Sequence, residues 1–246
     1  MELTVLGASG SFPTADDCCS GFLLRHEGFT LWMDAGSGTM QALQRHVAVQ
    51  DVDAIVLSHR HMDHVADIHM FFHASMTFPM RPVPVVAPPD VSETLARVVA
   101  GSTQRFFTAL DWQSLSPGEH TQLGPFRIDA FATKHSAPNN ALRITDGNTT
   151  LCYSGDSGPA DDLIEAARDA DLFVCEATWL NDQAGVMPPI HSTCAEAGEM
   201  ARKAGARRLA ITHLWPGNDR EKSRAQAADT FGADVMLARE VGTLTV

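Results

Sequence analysis

Short apolar strands alternating with amphipathic helices predict a mixed α/β fold in a single domain. Strand-like runs rich in Val, Leu, Ile and Phe end near Gly, Pro, Asp or Ser in both halves of the chain. Helical patterns with N-terminal capping signatures lie between them. No low-complexity run, Pro/Ser linker or charge block divides the 246 residues, a length with a prior of about one to two domains.

The strands read as Leu3–Leu6, Phe22–Arg25, Thr30–Met33, Ala54–Leu57 and Val83–Ala87, then Phe126–Phe131, Leu142–Thr145 and Leu151–Tyr153, and finally Leu172–Cys175, Arg208–Ile211 and Val235–Ala238. Val65, Ile68 and Phe72 recur at helical spacing. Asp90 and Glu93 form a capping-box pattern ahead of the apolar stripe Val91, Leu95 and Val98. Thr193 and Glu196 form another, followed by Ala197, Met200, Ala201 and Ala204. Gly7, Gly10, Gly36 and Gly38 fall in tight loops after strands and do not make a dinucleotide-binding fingerprint.

The hydrophobic fraction of 44% excludes general disorder. Lys+Arg 18 against Asp+Glu 30 leave a net charge of −12, which argues against gripping a long nucleic acid. Cys18, Cys19, Cys152, Cys175 and Cys194 form no CxxC pair and make a poor disulfide framework, so reduced thiols in a cytoplasmic protein are expected. Met1–Gly7 reads as a first strand and not a signal peptide. No window approaches the roughly 18 apolar residues of a membrane span.

The decisive segment is Ser58-His59-Arg60-His61-Met62-Asp63-His64, between the apolar strand Ala54–Leu57 and the helix carrying Ile68 and Phe72. Imidazole nitrogen and carboxylate oxygen suit zinc and similar metals. A loop between strand and helix lets adjacent side chains point around one small cavity, whereas residues within a strand alternate faces.

This segment resembles the metallo-β-lactamase superfamily, whose His-x-His-x-Asp-His motif it matches at each specified position. The likeness extends over nearly the whole chain through Asp34, His135, Asp156 and His213. It implies a four-layer αββα sandwich of two mixed sheets with helices on the outer faces. It also implies two divalent ions: one on His59, His61 and His135, the other on Asp63, His64 and His213, with Asp156 bridging. Asp34 would buttress the metal loop. Zinc is the first choice, and manganese or iron suits the same donors.

Asp156 stands where β-lactamases place Cys, which favours two oxygen-bridged ions and phosphodiester hydrolysis, with metals about 3.5–4 Å apart clamping both reacting oxygens. Cys175-Glu176-Ala177-Thr178 resembles the His-Glu-Ala-Thr motif of the ribonuclease Z group, and Pro189-Ile190-His191-Ser192-Thr193 its later histidine loop. The resemblance implies that Glu176 fixes the tautomer of His191, that His191 protonates the leaving group, and that Asp63 orients a hydroxide held between the ions. Cys175 departs from the motif's histidine. The long tRNA-holding arm of that group is also missing: only the pair Ala141–Thr145 and Thr149–Tyr153 separates His135 from Asp156. Leu3–Ser11 and Leu43–His46 look like a bacterial branch that includes atypical cyclic-nucleotide phosphodiesterases.

The expected activity is therefore hydrolysis of a small phosphodiester such as a cyclic nucleotide. The rivals are an acyl, lactone or thioester hydrolase on the same metals, a tRNA 3′-end nuclease (opposed by the missing arm), and a non-catalytic metal-dependent binding protein. No membrane partner is expected, and a homodimer is only what the resemblance implies. His26, His46, His69, His73 and His120 read as surface or packing histidines. Phe71, Phe72, Met76, Phe78 and Met80 read as core or dimer interface in preference to a substrate lip. Trp179, Trp215 and Pro216 stay open between stacking on a base and walling the metal loops. No chemistry is assigned to Cys18 and Cys19.

Overall fold

The computed structural model describes residues 1–99, 101–185 and 189–246. The first half runs β1 (Glu2–Gly7), β2 (Gly21–His26), β3 (Phe29–Ala35), α1 (Thr39–Leu43), β4 (Ala54–Val56), α2 (Met62–Val65), α3 (Asp67–Thr77), β5 (Val83–Ala87), α4 (Val91–Ala96), α5 (Thr103–Ala109) and β6 (Leu110–Ser114). The second runs β7 (His120–Leu123), β8 (Phe126–Ala132), β9 (Asn140–Thr145), β10 (Thr150–Tyr153), α6 (Asp161–Ala166), β11 (Leu172–Glu176), α7 (Cys194–Ala204), β12 (Leu209–Thr212), α8 (Arg220–Phe231), β13 (Val235–Leu237), α9 (Ala238–Val241) and β14 (Thr243–Thr245).

Two seven-stranded sheets result, ordered β14-β1-β2-β3-β4-β5-β6 and β13-β12-β11-β10-β9-β8-β7. Each is mixed. In the first, β1 pairs antiparallel with β14 and β2, and β2 with β3, while the pairs from β3 to β6 are parallel. In the second, β7 to β10 are antiparallel and β10 to β13 parallel.

The pleat sorts apolar residues into separate cores. Leu31 and Met33 of β3 face Phe126, Ile144, Leu151 and Val174 between the sheets. Trp32, between them in sequence, turns outward to Phe71, Phe72 and Leu95 of the flanking helices. On the far side, Phe173 and Cys175 of β11 meet Leu163 of α6 and Ala197, Met200 and Ala201 of α7. The layers are therefore helix, sheet, sheet, helix, as expected. Each large side chain fully buried in them contributes about 1.5–3 kcal/mol.

Several local expectations change. Asp90 is not a side-chain cap of α4; its carboxylate pairs with the Arg60 guanidinium, a stronger partner than a backbone N–H. The helix stops at Ala96, which leaves Val98 68% exposed and out of the stripe. Ala238 belongs to α9 and not to the preceding strand. The strands that the sequence reading missed, β6, β7 and β14, all lie at sheet edges. An edge strand is covered less than a central one, so its residues stay polar and the apolar signal is weak. Phe71 and Phe72 are core, whereas Met76 and Phe78 are exposed. His69 is a satisfied packing histidine, its Nε2 3.0 Å from the Leu95 carbonyl. Among the described residues no helix is long and apolar enough to cross a membrane.

Two local devices lie close to the site. Thr193 caps α7: its hydroxyl accepts from the Glu196 amide at 3.2 Å, and Glu196 accepts from the Thr193 amide at 2.8 Å. Gly36, after β3, presses on the loop that carries Asp63. A Cβ there would fall 2.1 Å from the Asp63 carbonyl oxygen and 2.7 Å from that of Ser20.

Thr193→Ala is expected to cost about 1 kcal/mol and lower the melting temperature by about 2–4 °C. Gly36→Ala is expected to cost about 1–3 kcal/mol or more, because backbone and not a flexible side chain blocks the added methyl. Thermal melts of the two variants check both expectations, and an unchanged melt for Gly36→Ala would refute the close approach.

Candidate metal centre

The site forms where loops leave the strand ends of both sheets. From the first sheet, the turn after β4 delivers His59 and His61, and the short helix α2 that follows it carries Asp63 and His64. From the second, the segment after β8 delivers His135, that after β10 Asp156, and that after β12 His213. Asp34 and His213 hold left-handed backbone, each with φ of 54°. That region costs a non-glycine residue of order 1–3 kcal/mol and persists only where the surroundings fix it.

Two sets of donor atoms converge. His61 Nδ1 is 3.0 Å from both His59 Nε2 and His135 Nε2, and Asp156 Oδ2 lies 3.6 Å from His59 and 3.9 Å from His135. In the second set, His213 Nε2 is 3.1 Å from Asp63 Oδ2 and 3.4 Å from Asp156 Oδ2. His64 Nε2 is 3.7 Å from Asp63 Oδ2 and 3.2 Å from Asp156 Oδ1. Bonds of about 2.0–2.2 Å at tetrahedral angles place donors roughly 3.3–3.6 Å apart. The observed spacings bracket that value in both sets, and Asp156 offers one carboxylate to both.

Two further observations fit a cation. His64 Nε2 and Asp156 Oδ1 are buried and face each other at 3.2 Å without a hydrogen bond to one another or to any other group among the described residues, although most buried polar atoms are paired. Asp34, Asp63 and Asp156 also crowd into one largely buried region, a cost that matching positive charge removes. Burial opposes ionisation of Asp156, yet the neighbouring His213 and His64 charges prevail and hold it well below the usual carboxylate range. For His59, burial and then the neighbouring His64 charge push the pKa well down; for His64, burial works the same way, but the Asp156, Asp34 and Asp63 carboxylates prevail and raise it.

The remaining ring nitrogens are held by outer partners, the arrangement that aims a ligating histidine. His64 Nδ1 lies 2.7 Å from Asp34 Oδ2, so Asp34 buttresses the loop as expected. His135 Nδ1 meets the Ile190 carbonyl at 3.1 Å. His213 Nδ1 meets the Thr178 hydroxyl at 2.8 Å.

Glu176 and His191 meet beside this cluster. Glu176 is fully buried on β11, and its Oε1 lies 2.9 Å from His191 Nδ1. The His191 ring stacks on His213 with centroids 5.4 Å apart and stands edge-on to His135 at 5.1 Å. Burial works against its charged form, but the Glu176 hydrogen bond and charge outweigh it and push the His191 pKa up to about 9. Cys175, where the ribonuclease Z motif has histidine, faces the outer core against α6 and α7 and does not enter this site.

The sequence reading placed Thr178 in the Cys175-Glu176-Ala177-Thr178 motif but gave it no role. Its hydroxyl is 2.7 Å from Glu176 Oε2 and joins that acid to His213; the signal was its position two residues beyond Glu176 on the same strand exit. It missed Asn139, whose amide donates to Thr133 Oγ1 at 3.0 Å and to the Asp156 carbonyl, tying together two ligand-bearing segments. Trp179 walls the site. It is buried, perpendicular to His191 at 6.1 Å and packed on Trp215 at 5.3 Å.

The family model described as "Beta-lactamase superfamily domain" matches residues 30–214. The curated "Probable metallo-hydrolase YhfI" of Bacillus subtilis is 32% identical over 244 residues, covering 97% of both chains. The crystal structure of YhfI, a metallo-β-lactamase fold protein, superposes with a TM-score of 0.90 at 30% identity, covering 99% of both chains. A "Ribonuclease Z" of Methanopyrus kandleri is 27% identical, covering 98% of this chain and 96% of that one. The structure of a diphosphatase from the PhnP family superposes with a TM-score of 0.81 at 19% identity, covering 100% of this chain and 97% of that one, a likeness of fold. Layer order, donor cluster and matched residues agree, and the chain belongs to the β-lactamase superfamily.

Proposed function

We propose that the protein is a dinuclear metal-dependent phosphodiesterase acting on a small substrate such as a cyclic nucleotide. The observation that carries this reading is the Glu176–His191 pair, hydrogen-bonded at 2.9 Å and set against the donor cluster. A metal-binding protein without catalysis has no use for a leaving-group acid. The hydrolase name of the Bacillus relative and the nuclease name of the Methanopyrus relative support the same class of chemistry.

His59, His61 and His135 would hold one ion, Asp63, His64 and His213 the other, and Asp156 both. When bound, such ions supply a water ionised near neutral pH and neutralise charge on phosphoryl oxygens. Zinc suits the nitrogen-rich first set, and manganese or iron suits the same donors.

The chain's own groups do the rest. Asp63 accepts a hydrogen bond from the attacking water and aims it at phosphorus. Its Oδ2 is fixed for this by the Ser11 amide, which donates to it at 2.8 Å. Glu176 accepts from His191 Nδ1, which leaves Nε2 as the nitrogen able to give a proton to the substrate. The protonated ring gives its proton to the departing oxygen, and Glu176 stabilises the imidazolium beforehand.

Scale favours a small substrate. A cavity of about 310 Å³ adjoins His191, walled by Pro159, Trp179 and Pro189 and beside the candidate ligands without being lined by them, at the low end of small-molecule sites. The segment between His135 and Asp156 contributes β9 and β10 and their turns, and the net charge is −12. Both support a nucleotide-sized diester over a tRNA.

Metal-analysed protein is expected to hold two ions per chain, to hydrolyse bis-p-nitrophenyl phosphate and cyclic AMP, and to leave a tRNA precursor uncut. Two ions with no phosphodiesterase activity, and turnover of acyl substrates instead, would overturn the reading. His191→Ala is expected to lower kcat on cyclic AMP, an alkoxide leaving group, by about 10²–10⁴. On the nitrophenyl diester the loss should be under about tenfold, because that phenolate departs without a proton. Equal losses on both substrates would remove His191 from the acid role.

A further inference from the structure

The long turn between β1 and β2 meets one side of the metal centre, and its tip touches two candidate ligands. The Ser11 amide, in left-handed backbone with φ of 63°, donates to Asp63 Oδ2 at 2.8 Å. The Gly10 amide donates to the Leu214 carbonyl at 3.0 Å. Gly10 also packs so closely on His213 that a Cβ would fall 2.6 Å from its carbonyl oxygen and 3.0 Å from its Nδ1. A ligating His213 carries no proton on Nε2. Among the described residues, the Ser11 amide is then the donor left to Asp63 Oδ2.

Nothing in the tip itself holds Ser11 in place, since Ser11, Phe12 and Pro13 are all exposed. The anchor lies at the base of the turn. Asp17 is 5% exposed. Its Oδ1 accepts from the Ala8 amide at 3.2 Å and from the Arg239 guanidinium at 3.3 Å, and its Oδ2 lies 3.7 Å from the Arg220 guanidinium. The Asp17 carbonyl accepts from the Thr14 amide at 2.8 Å, and the Ser9 amide donates to the Cys18 carbonyl at 3.0 Å. These bonds close the turn across its base, and residues 10–13 project from it.

The two arginines come from the other half of the chain. Arg220 opens α8 and Arg239 lies in α9. Residues 214–219 join His213 to Arg220, so Asp17 ties the turn to the far end of the segment that begins at a ligand. Asp17 itself belongs to neither donor set. Burial pushes its pKa up, and the Ala8 amide and the two guanidinium charges oppose that rise. A buried carboxylate is costly unless it is paired, so the turn is drawn to wherever α8 and α9 place their cations.

We infer that Asp17 is a positioning residue for the attacking water. By fastening the turn to Arg220 and Arg239, it sets the Ser11 amide against Asp63 Oδ2 and so fixes the direction in which Asp63 aims. The inference rests on the phosphodiesterase reading of the site.

The first test needs no substrate. Amide hydrogen exchange is followed by NMR on metal-loaded wild type, Asp17→Asn and Arg239→Gln. Ser11 is exposed, so protection of its amide reports the bond to Asp63. Exchange is expected to be slowed in the wild type and about tenfold faster in Asp17→Asn. An unprotected Ser11 amide in the wild type, or equal protection in Asp17→Asn, overturns the inference. The second test is kinetic. Asp17→Asn is expected to lower kcat on cyclic AMP and on bis-p-nitrophenyl phosphate alike, by about 3–30-fold, with KM within about twofold, because attack and not departure is misaligned. A lower melting temperature with wild-type kcat, or a loss confined to cyclic AMP, overturns it. Arg239→Gln is expected to lose less, and the double variant to be no worse than Asp17→Asn alone; additive losses overturn the pairing. Should Asp17→Asn not fold, Arg220→Gln and Arg239→Gln carry the same two measurements, and unmoved Ser11 exchange in both overturns the inference. A wild type inert on both diesters but with Ser11 exchange governed by Asp17 would overturn the reaction and leave the link from Asp17 to Asp63 standing. An active wild type with unmoved exchange would overturn the inference alone.

Discussion

Buried acids and imidazole lone pairs cannot share a dry cavity without positive charge, and much of this molecule is arranged around that constraint. Desolvating a carboxylate is expensive, and an unpaired one is not tolerated. Asp156 sits 2% exposed among His59, His64, His135 and His213. Asp34 lies below, saturated by hydroxyl, amide and imidazole donors. The geometry survives because the surrounding elements leave it little freedom. Gly36 brings one loop onto the Asp63 backbone, Asn139 ties two more together, and Asp34 and His213 accept left-handed backbone to aim their side chains.

Charge acts at two ranges. Over the whole surface the protein is acidic, which discourages long polyanions. At the site, divalent ions would invert the local sign, since a bound ion is commonly the largest charge nearby. A small anion at such a site would feel chiefly the local field, whereas a long one would meet the surrounding acids as well. Salt at physiological strength screens the distant charges within about 8 Å and leaves the buried ones largely intact.

Much of this was legible in the sequence, for a definable reason. The candidate ligands stand just after apolar strands, so the same residues that announce a strand also announce the position of the polar group that follows it. Ile55 and Val56 locate His59, and Ile211 locates His213, because a buried strand end puts the next side chain at the sheet's rim. The central strands were legible on the same signal. What stayed hidden depends on contacts between distant parts of the chain. Tyr153 reads as an ordinary core aromatic until Asp34, from the other sheet, is seen to meet its hydroxyl. Ser58 and Thr178 stand inside recognisable motifs with no role of their own until the histidines beside them are in place. Edge strands such as β6 and β7 failed for the opposite reason: partial exposure leaves their composition close to that of loops. The Asp90 capping pattern misled because Arg60 is a stronger partner than an amide and lies too far away in sequence to be foreseen.

The strand β14 has a consequence for how the chain acquires this structure. It pairs with β1, and the hydroxyls of Thr4 and Thr243 meet at 2.9 Å across nearly the full length of the sequence. Contacts of such wide separation are slow to form, because loop-closure entropy is lost before they contribute anything. Until β14 docks, one side of β1 displays unpaired amides and carbonyls beside an apolar face, the template on which stray strands aggregate. Synthesis from the first residue onward prolongs that vulnerable interval, so the yield of folded protein should respond to chaperones and temperature more than its final stability alone would suggest.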